Sequence, residues 1–293
     1  GVSVALGVTR AFQMPAQQAL TPLLVPQELL PGAIAMSSSG VQAAIIGGPA
    51  LGGVLYVAGA TTVYVCGALL LLAAGALTLT VRYQHRPATT AATWRAVFAG
   101  VSFVWYRKLL LGAISLDLFT VLLGGATALL PIYARDILHT GPAGLGLLRS
   151  APAVGALTMS LALTRWPLQR RVGHRLLAAV GLFGAATIVF GLSTRFELSL
   201  IALAITGAAD SISVVTRQTL MQLETPDEMR GRVAAVNSIF IGASNQLGEF
   251  ESGATAALFG PVGSVVLGGI GTLLVAIGWL RLFPALAKRD RMV

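Results

Sequence analysis

Residues 29–81 read LLPGAIAMSSSGVQAAIIGGPALGGVLYVAGATTVYVCGALLLLAAGALTLTV, a run without one charged side chain. A helix of about 20 apolar residues crosses the hydrocarbon core of a bilayer, so this stretch is room for two spans. Gly, Ala, Ser and Thr are scattered through it. Such small residues let helices approach closely in lipid, where apolar side chains gain nothing by leaving a solvent as apolar as themselves. A transmembrane β-barrel would show segments of about ten residues with alternating polarity. Unbroken apolar runs predict helices instead. The rest of the 293-residue chain agrees: 55% of residues are apolar and 11% charged, against about 25% charged in an ordinary soluble domain. Mean hydropathy is +0.80. So little charge cannot cover a water-facing surface, which argues against a soluble enzyme, and the apolar fraction excludes disorder and a collagen-like chain. Cys66 has no cysteine partner, and His85, His139 and His174 are scattered. Neither a disulfide nor a metal site is expected, and no cofactor.

Nine apolar segments follow, roughly 2–22, 33–56, 60–82, 109–134, 143–164, 173–193, 197–221, 232–258 and 261–284. The expected fold class is an all-α polytopic membrane protein. The net charge of +9 comes from 20 Lys and Arg against 11 Asp and Glu. Nucleic-acid binding would want a soluble domain with a basic face, whereas these arginines sit between apolar runs. Alternate loops hold most of them. Loop 82–108 carries Arg82, Arg86, Arg95, Arg107 and Lys108; loop 164–175 carries Arg165, Arg170, Arg171 and Arg175; loop 222–232 has Arg230 and Arg232; and the tail has Arg281, Lys288, Arg289 and Arg291. The opposite loops carry only Arg135 and Arg195. The excess of basic residues on cytoplasmic loops places these four stretches, with the C-terminus, inside the cell. Nine spans then put Gly1 outside. The chain opens without Met and already within an apolar segment, so Gly1 is read as a truncation point with three helices before it. The expected division is the remainder of an N-terminal helical half (1–82), a cytoplasmic linker (83–108) and a C-terminal six-helix half (109–293). In the linker, Trp94, Val97, Phe98, Val101 and Trp105 share one helical face, the pattern of an amphipathic helix lying on the membrane, the alternative being that it simply begins the next span.

An internal repeat supports two halves. Gln18-Ala19-Leu20 with Pro26-Gln27-Glu28 recurs 200 residues later as Gln218-Thr219-Leu220 with Pro226-Asp227-Glu228, and the next apolar segments start at Ala33 and Val233. Parallel halves related in this way are a known transporter plan.

Three motifs bring a family into view. Gly48-Pro49-Ala50-Leu51-Gly52-Gly53 matches a G-P-x-x-G-G core, with Ala44 where the full motif has another Gly. Leu6, Arg10 and Gln13 match L-x-x-x-R-x-x-Q, followed by Met14 in place of Gly. Arg171-Val172-Gly173-His174-Arg175 is a degenerate R-x-G-R-R, preceded by Arg170 where an acid is usual. Over nearly its whole length the chain resembles the major facilitator superfamily, and most its enterobactin-exporter-like bacterial branch. The stretches Pro226 to Arg232 and Gly242 to Gly253 resemble that branch too. The resemblance implies helices four to twelve of twelve, a multi-pass protein of the inner membrane, and proton-driven efflux of a siderophore or another amphiphile. It implies a small-molecule substrate, protons as coupling ion, lipid as surroundings and a monomeric assembly.

A charge inside a bilayer costs about 2.5–3.5 kcal/mol on insertion scales, so each is a functional candidate. Seven qualify: Arg10, Asp117, Arg149, Asp210, Arg217, Glu249 and Glu251. A buried ion pair or a side chain snorkelling to the surface explains each as well, most of all Arg149 and Arg217, which lie near segment ends. Asp210 sits about 13 residues into its span, near mid-bilayer, with Thr206, Ser213 and Arg217 on its face. That face is expected to line a cavity. Asp117 lies nearer the cytoplasmic end, placed to exchange protons there. Glu249 and Glu251 point about 200° apart on a straight helix. Their stripes, Ser238-Gly242-Asn245-Glu249-Ser252 and Asn237-Ser244-Gly248-Glu251, are both polar or small, so either acid fits the pathway. Pro49 between glycines reads as a hinge, a seal against leakage or plain close packing. Trp94, Trp105, Trp166 and Trp279 read as interfacial anchors.

No catalytic triad order, H-E-x-x-H, P-loop or dinucleotide fingerprint is present, so the chain is not expected to be an enzyme. The reading is a secondary transporter, a proton-coupled exporter. An importer or facilitator fits the same residues, and a membrane-embedded enzyme or scaffold is the rival class. The preceding helices are expected to complete the cavity, so the 293-residue chain alone is expected to be inactive. For the topology, single cysteines Thr90→Cys and His139→Cys in a Cys66→Ser background are the check. With a membrane-impermeant maleimide on intact cells, His139→Cys should react and Thr90→Cys should not. Labelling of Thr90→Cys from outside overturns the arrangement.

Overall fold

In the computed structural model the residues described are 40, 43–45, 47–49, 51–81, 94–166 and 171–290. Arg10, the first copy of the repeat and the loop from Arg82 to Thr93 lie outside them. Among the described residues every regular element is helical, as alternation-free apolar runs require. Helix α1 is Ala60–Thr80, α2 Trp94–Tyr106, α3 Lys108–Leu123, α4 Pro142–Arg165, α5 Val172–Leu192, α6 Phe196–Glu224, α7 Asp227–Leu282 and α8 Pro284–Ala287. Six stretches are long and apolar enough to cross a membrane, the last of them 52 residues, Gly231–Leu282. That last stretch is twice the length of one span. It folds back at Gly260, where φ is 76° and ψ 164°. A side chain is strained there, and Pro261, which lacks an N–H, starts the second arm. The break falls between the two segments expected at 232–258 and 261–284.

Another break was not legible. The apolar run expected as one span over 109–134 stops being an α-helix at Leu123. After Gly124 and Gly125 it continues as short turns, Ala126–Leu129, Leu130–Ile132 and Tyr133–Ile137, the last of them π-helical. Backbone that leaves the helix at membrane depth must find partners inside the protein. It does so here. Gly124 N–H donates to Thr120 O at 2.8 Å, Ala126 N–H to Gly124 O at 2.7 Å, and Ser252 Oγ donates to Gly125 O at 3.1 Å.

The helices pack out of chain order: α4 against α6, α5 against both α6 and α7, and α3 against α7. Three apolar cores result, and the two larger lie near opposite ends. One gathers Leu116, Val172, Leu176, Leu220, Trp279 and Leu286. The other gathers Leu130, Tyr133, Leu148, Phe190, Leu203 and Val265, with the Tyr133 hydroxyl donating to Gly191 O at 2.9 Å. The outward faces remain apolar, and no residue of α1 is buried within the described structure. Such faces suit lipid.

The basic stretches meet at one end of the bundle. The α8 carbonyls lie against Gly173, Arg289 pairs with Glu224 at 3.0 Å, and Gly100 of α2 lies against Arg232 O. Helix α2 starts at Trp94. It buries Val104 against Val233 and Val236, while Phe98 and Trp105 of the expected apolar stripe stay exposed. One interfacial reading is corrected. Trp279 is buried, donates Nε1–H to Gly112 O at 3.0 Å and packs against Phe119 and Phe283. It is a core residue, because its indole N–H finds a backbone acceptor inside the bundle.

The α4–α6 contact is the closest. A Cβ on Gly155 would collide with Ala204 O, and one on Gly207 with Pro152 O, backbone atoms that cannot swing away. Gly155→Val or Gly207→Val is expected to cost at least about 1–3 kcal/mol and to lower the unfolding temperature or abolish the monodisperse peak in detergent. Gly181→Ala, which meets no atom within 4 Å, is expected to behave as wild type in the same size-exclusion and melting measurements.

Candidate functional site

Between the two larger cores lies a cavity of about 230 Å³. Its walls come from five helices. The break in α3 supplies Thr120, Gly124 and Thr127; α5 supplies Phe183 and Thr187; α6 supplies Thr206 and Asp210; α7 supplies Asn245 and Glu249; and α4 supplies Pro152. Asp210 and Glu249 therefore share one chamber from different helices. Asp210 is half-buried, while Asn245 and Glu249 form its exposed wall. No Lys, Arg or His stands among the described residues that line it.

The expected polar face of α6 divides in two. Thr206 and Asp210 face the cavity, but Arg217, two turns on, turns away into the core. Its guanidinium pairs with the Asp117 carboxylate, both side chains less than one-tenth exposed. Asp117 is thus not open to the cytoplasm as its position suggested: it is buried against Arg217, which ties α3 to α6. The sequence offered the two charges at similar depths in separate spans, which was the only hint that they meet. Of the two structural readings for Arg217, the buried ion pair holds and the snorkel does not, since at 3% exposure the side chain does not reach a surface. Arg149 is exposed on α4.

Of the two α7 acids, Glu249 lines the cavity and Glu251 is not among the lining residues. Neighbours on both stripes face inward, Ser252 bonding to Gly125 O and Gly248 lying against the Val121 and Leu122 carbonyls. In the G-P-x-x-G-G motif, Gly48 and Gly52 have no neighbour where a Cβ would stand, and Gly53 makes the close approach. It is buried against Pro142 O and the Cα atoms of Ala143 and Gly146, at the start of α4. In the loop motif, Arg171 takes a left-handed conformation, φ 52°, and its N–H donates to Asp290 Oδ1 at 3.3 Å. Gly173 N–H donates to Arg289 O at 3.0 Å. The side chains of Arg171 and Arg175 are exposed. Docking of the tail on this loop had no sequence signal beyond the glycine. Among the described residues no group of His, Cys, Asp and Glu has a metal-binding arrangement.

Comparison with known proteins places this arrangement. The chain is 30% identical over 281 residues to an enterobactin exporter, EntS, of Citrobacter koseri, and 27% identical over 281 residues to that of Escherichia coli O1:K1. The match to the EntS of Shigella dysenteriae is also 27%, over 280 residues. Each alignment covers 94% of this chain and 65% of the relative, so the chain spans just under two thirds of their length. Residues 1–249 match the family model of the Major Facilitator Superfamily. The helical, multi-pass bundle agrees with that match, and this chain belongs to the major facilitator superfamily.

Proposed function

We propose that the chain is part of a secondary active transporter of the inner membrane that exports an amphiphilic small molecule in exchange for protons. The relatives' names make a siderophore the first substrate to try. The observation that carries the reading is the cavity between two apolar cores, with carboxyl groups on two of its walls. Carboxyl groups in a chamber at membrane depth can take up and release protons, and a ligand that competes for them is exchanged without a direct link between the two. Asp210 and Glu249 are the proposed proton-carrying or substrate-contacting pair. Asp117 and Arg217 position α3 against α6 around them.

The remaining candidates take supporting roles. Arg10 acts on a nearby acid, holding its charge or releasing its proton as the helices move. Gly53 seals the two halves, 1–82 and 109–293, against each other beside Pro142. Arg171, Gly173 and Arg175, with the tail, lie on the cytoplasmic side, where the basic loops gather. The halves rock about the cavity as the family plan allows, in a monomer that needs no cofactor and is not an enzyme.

The test is flux in proteoliposomes with and without an imposed pH gradient. It uses protein expressed from its complete natural reading frame and labelled enterobactin as the first substrate. Wild type is expected to move substrate faster with the gradient. Asp210→Asn and Glu249→Gln are each expected to lose at least tenfold of the gradient-driven flux while downhill exchange continues, and Glu251→Gln to stay near wild type. If all three variants keep full gradient-driven flux, proton coupling through these acids is wrong. Inactive Glu251→Gln beside normal Glu249→Gln inverts the assignment. Arg10→Ala is expected to lose coupled flux more than substrate binding, and Arg10→Lys to recover part of it, the charge surviving without the planar fork. Wild-type flux in Arg10→Ala removes Arg10 from the mechanism.

A further inference from the structure

We propose that the outward face of α2, with Arg107 and Lys108 at the start of α3, is a docking surface for the head groups of anionic phospholipids. Such a surface is independent of what the cavity carries.

Helix α2 is held by one face. A Cβ on Gly100 would meet Arg232 O and Val236 Cγ2, and Val104 is buried with Val233 and Val236. These contacts set α2 against the first turns of α7. The opposite face is apolar and open. Phe98, Val101 and Trp105 recur there at i, i+3 and i+7, with Phe98 and Trp105 exposed to 68% and 67%. Tyr106 beside them is exposed as well. An aromatic patch of this kind marks a contact with a protein or a membrane.

The place of α2 in the chain decides for lipid. Only Arg107 separates it from α3, and the stretch long and apolar enough to cross a membrane begins at Lys108. Arg107 N–H donates to Phe103 O at 3.3 Å, and Leu111 N–H donates to Arg107 O at 2.9 Å. The two helices therefore meet at a hydrogen-bonded elbow rather than through a loose linker. An aromatic face joined so directly to the start of a span lies at head-group level. Trp and Tyr settle there because each couples an apolar ring to a polar N–H or O–H.

Charge selects among lipids. Residues 29–116 contain no Asp or Glu, while Arg82, Arg86, Arg95, Arg107 and Lys108 all fall within them. The side chains of Arg107 and Lys108 are exposed, and no carboxylate pairs with either among the described residues. Arg107 lies over the Phe103 ring at 5.5 Å, a contact that uses none of its N–H donors. The acids at the start of α7, Asp227 and Glu228, are followed by Arg230 and Arg232, so that helix brings no net negative charge to this end. Basic side chains next to a span are drawn to anionic lipid, and the planar guanidinium fork matches phosphate oxygens. A zwitterionic head group holds its own cation beside the phosphate, which weakens the attraction. A lipid seated here anchors the elbow that carries α3, the helix whose far end borders the cavity.

The test is Trp105 fluorescence in protein expressed from its complete natural reading frame. The protein is reconstituted in phosphatidylcholine vesicles with a minor share of phosphatidylglycerol. Lipid composition is kept fixed, and acyl-chain bromines, which quench indole on contact, are placed on equal numbers of one lipid or the other. Subtracting the signal of Trp105→Phe isolates Trp105. Quenching at least twofold stronger with brominated phosphatidylglycerol is expected. That preference should vanish in Arg107→Gln/Lys108→Gln, and in wild type at about 1 M salt, where the screening length falls to about 3 Å. The salt arm decides the matter even if the double variant fails to fold. Arg171→Gln/Lys288→Gln, which removes two exposed cations elsewhere, should keep the preference. No Trp105 quenching by either lipid, the result if a protein segment covers this face, overturns the proposal. So does equal quenching by both lipids, full preference at high salt, or equal loss of preference in the two double variants.

Discussion

Asp117 and Arg217, buried against one another between α3 and α6, set the electrical state of everything around them. An ion taken out of water loses several kcal/mol of solvation, and only a close partner recovers it. Neither residue can therefore be removed alone. Breaking a buried pair typically costs about 3–5 kcal/mol, because the survivor is left as an uncompensated charge. The pair fastens the half-helix that ends at the cavity to the helix that carries Asp210. It also consumes the guanidinium, so Arg217 does not line the chamber two turns away.

Backbone chemistry explains why the chamber is where it is. In lipid each N–H and C=O needs a partner, and an uninterrupted helix supplies its own. Irregular backbone at membrane depth survives only where protein or enclosed polar space replaces those bonds. The Gly124–Gly125 break meets this condition through Ser252 from α7 and through its own tight turns. The second break, at Gly260, lies at the far end and only turns the chain round. The carbonyls of Val121, Leu122 and Leu123 near the α3 end lie against Gly248 and Gly268 of α7, an approach that only small residues permit. Broken helix, close glycine contact and cavity are three aspects of the same local packing.

The fold was largely legible because its signals are additive over long windows. Twenty apolar residues in a row have few alternatives to a membrane helix, and the described spans fall where the apolar segments were drawn. Asp210 was legible for the same reason, an acid in the middle of such a run. The site's architecture was not. A Gly-Gly pair inside an apolar segment reads equally as close packing or as a break, and only the neighbours that satisfy the freed backbone distinguish them. The Asp117–Arg217 pair joins residues 100 positions apart, so no local pattern carries it. The two stripes of α7 are equally polar, and the choice of Glu249 over Glu251 for the cavity wall depends on how that helix is turned against α3. Trp279 was misread because an interfacial ring and a core ring near a helix end look alike until the acceptor, Gly112 O, is known.

The two ends of the C-terminal bundle are held by different means, and this bears on how the chamber can open. At the basic end the tail hydrogen-bonds to the loop before α5, and Arg289 pairs with Glu224 at the foot of α6. At the other end Tyr133 reaches across to Gly191, and Ser199 donates to Ser193 at 3.0 Å. Both closures join helices that already share a core. By contrast, Asn245 and Glu249 on the α7 wall are exposed, and Gly53, ahead of α1, touches the start of α4. Packed cores are bistable at their interfaces and resist continuous deformation. A motion that admits a ligand to Asp210 then costs least if the bundle moves as one body and changes its contacts along α7 and at Gly53, leaving the ion pair and both larger cores intact.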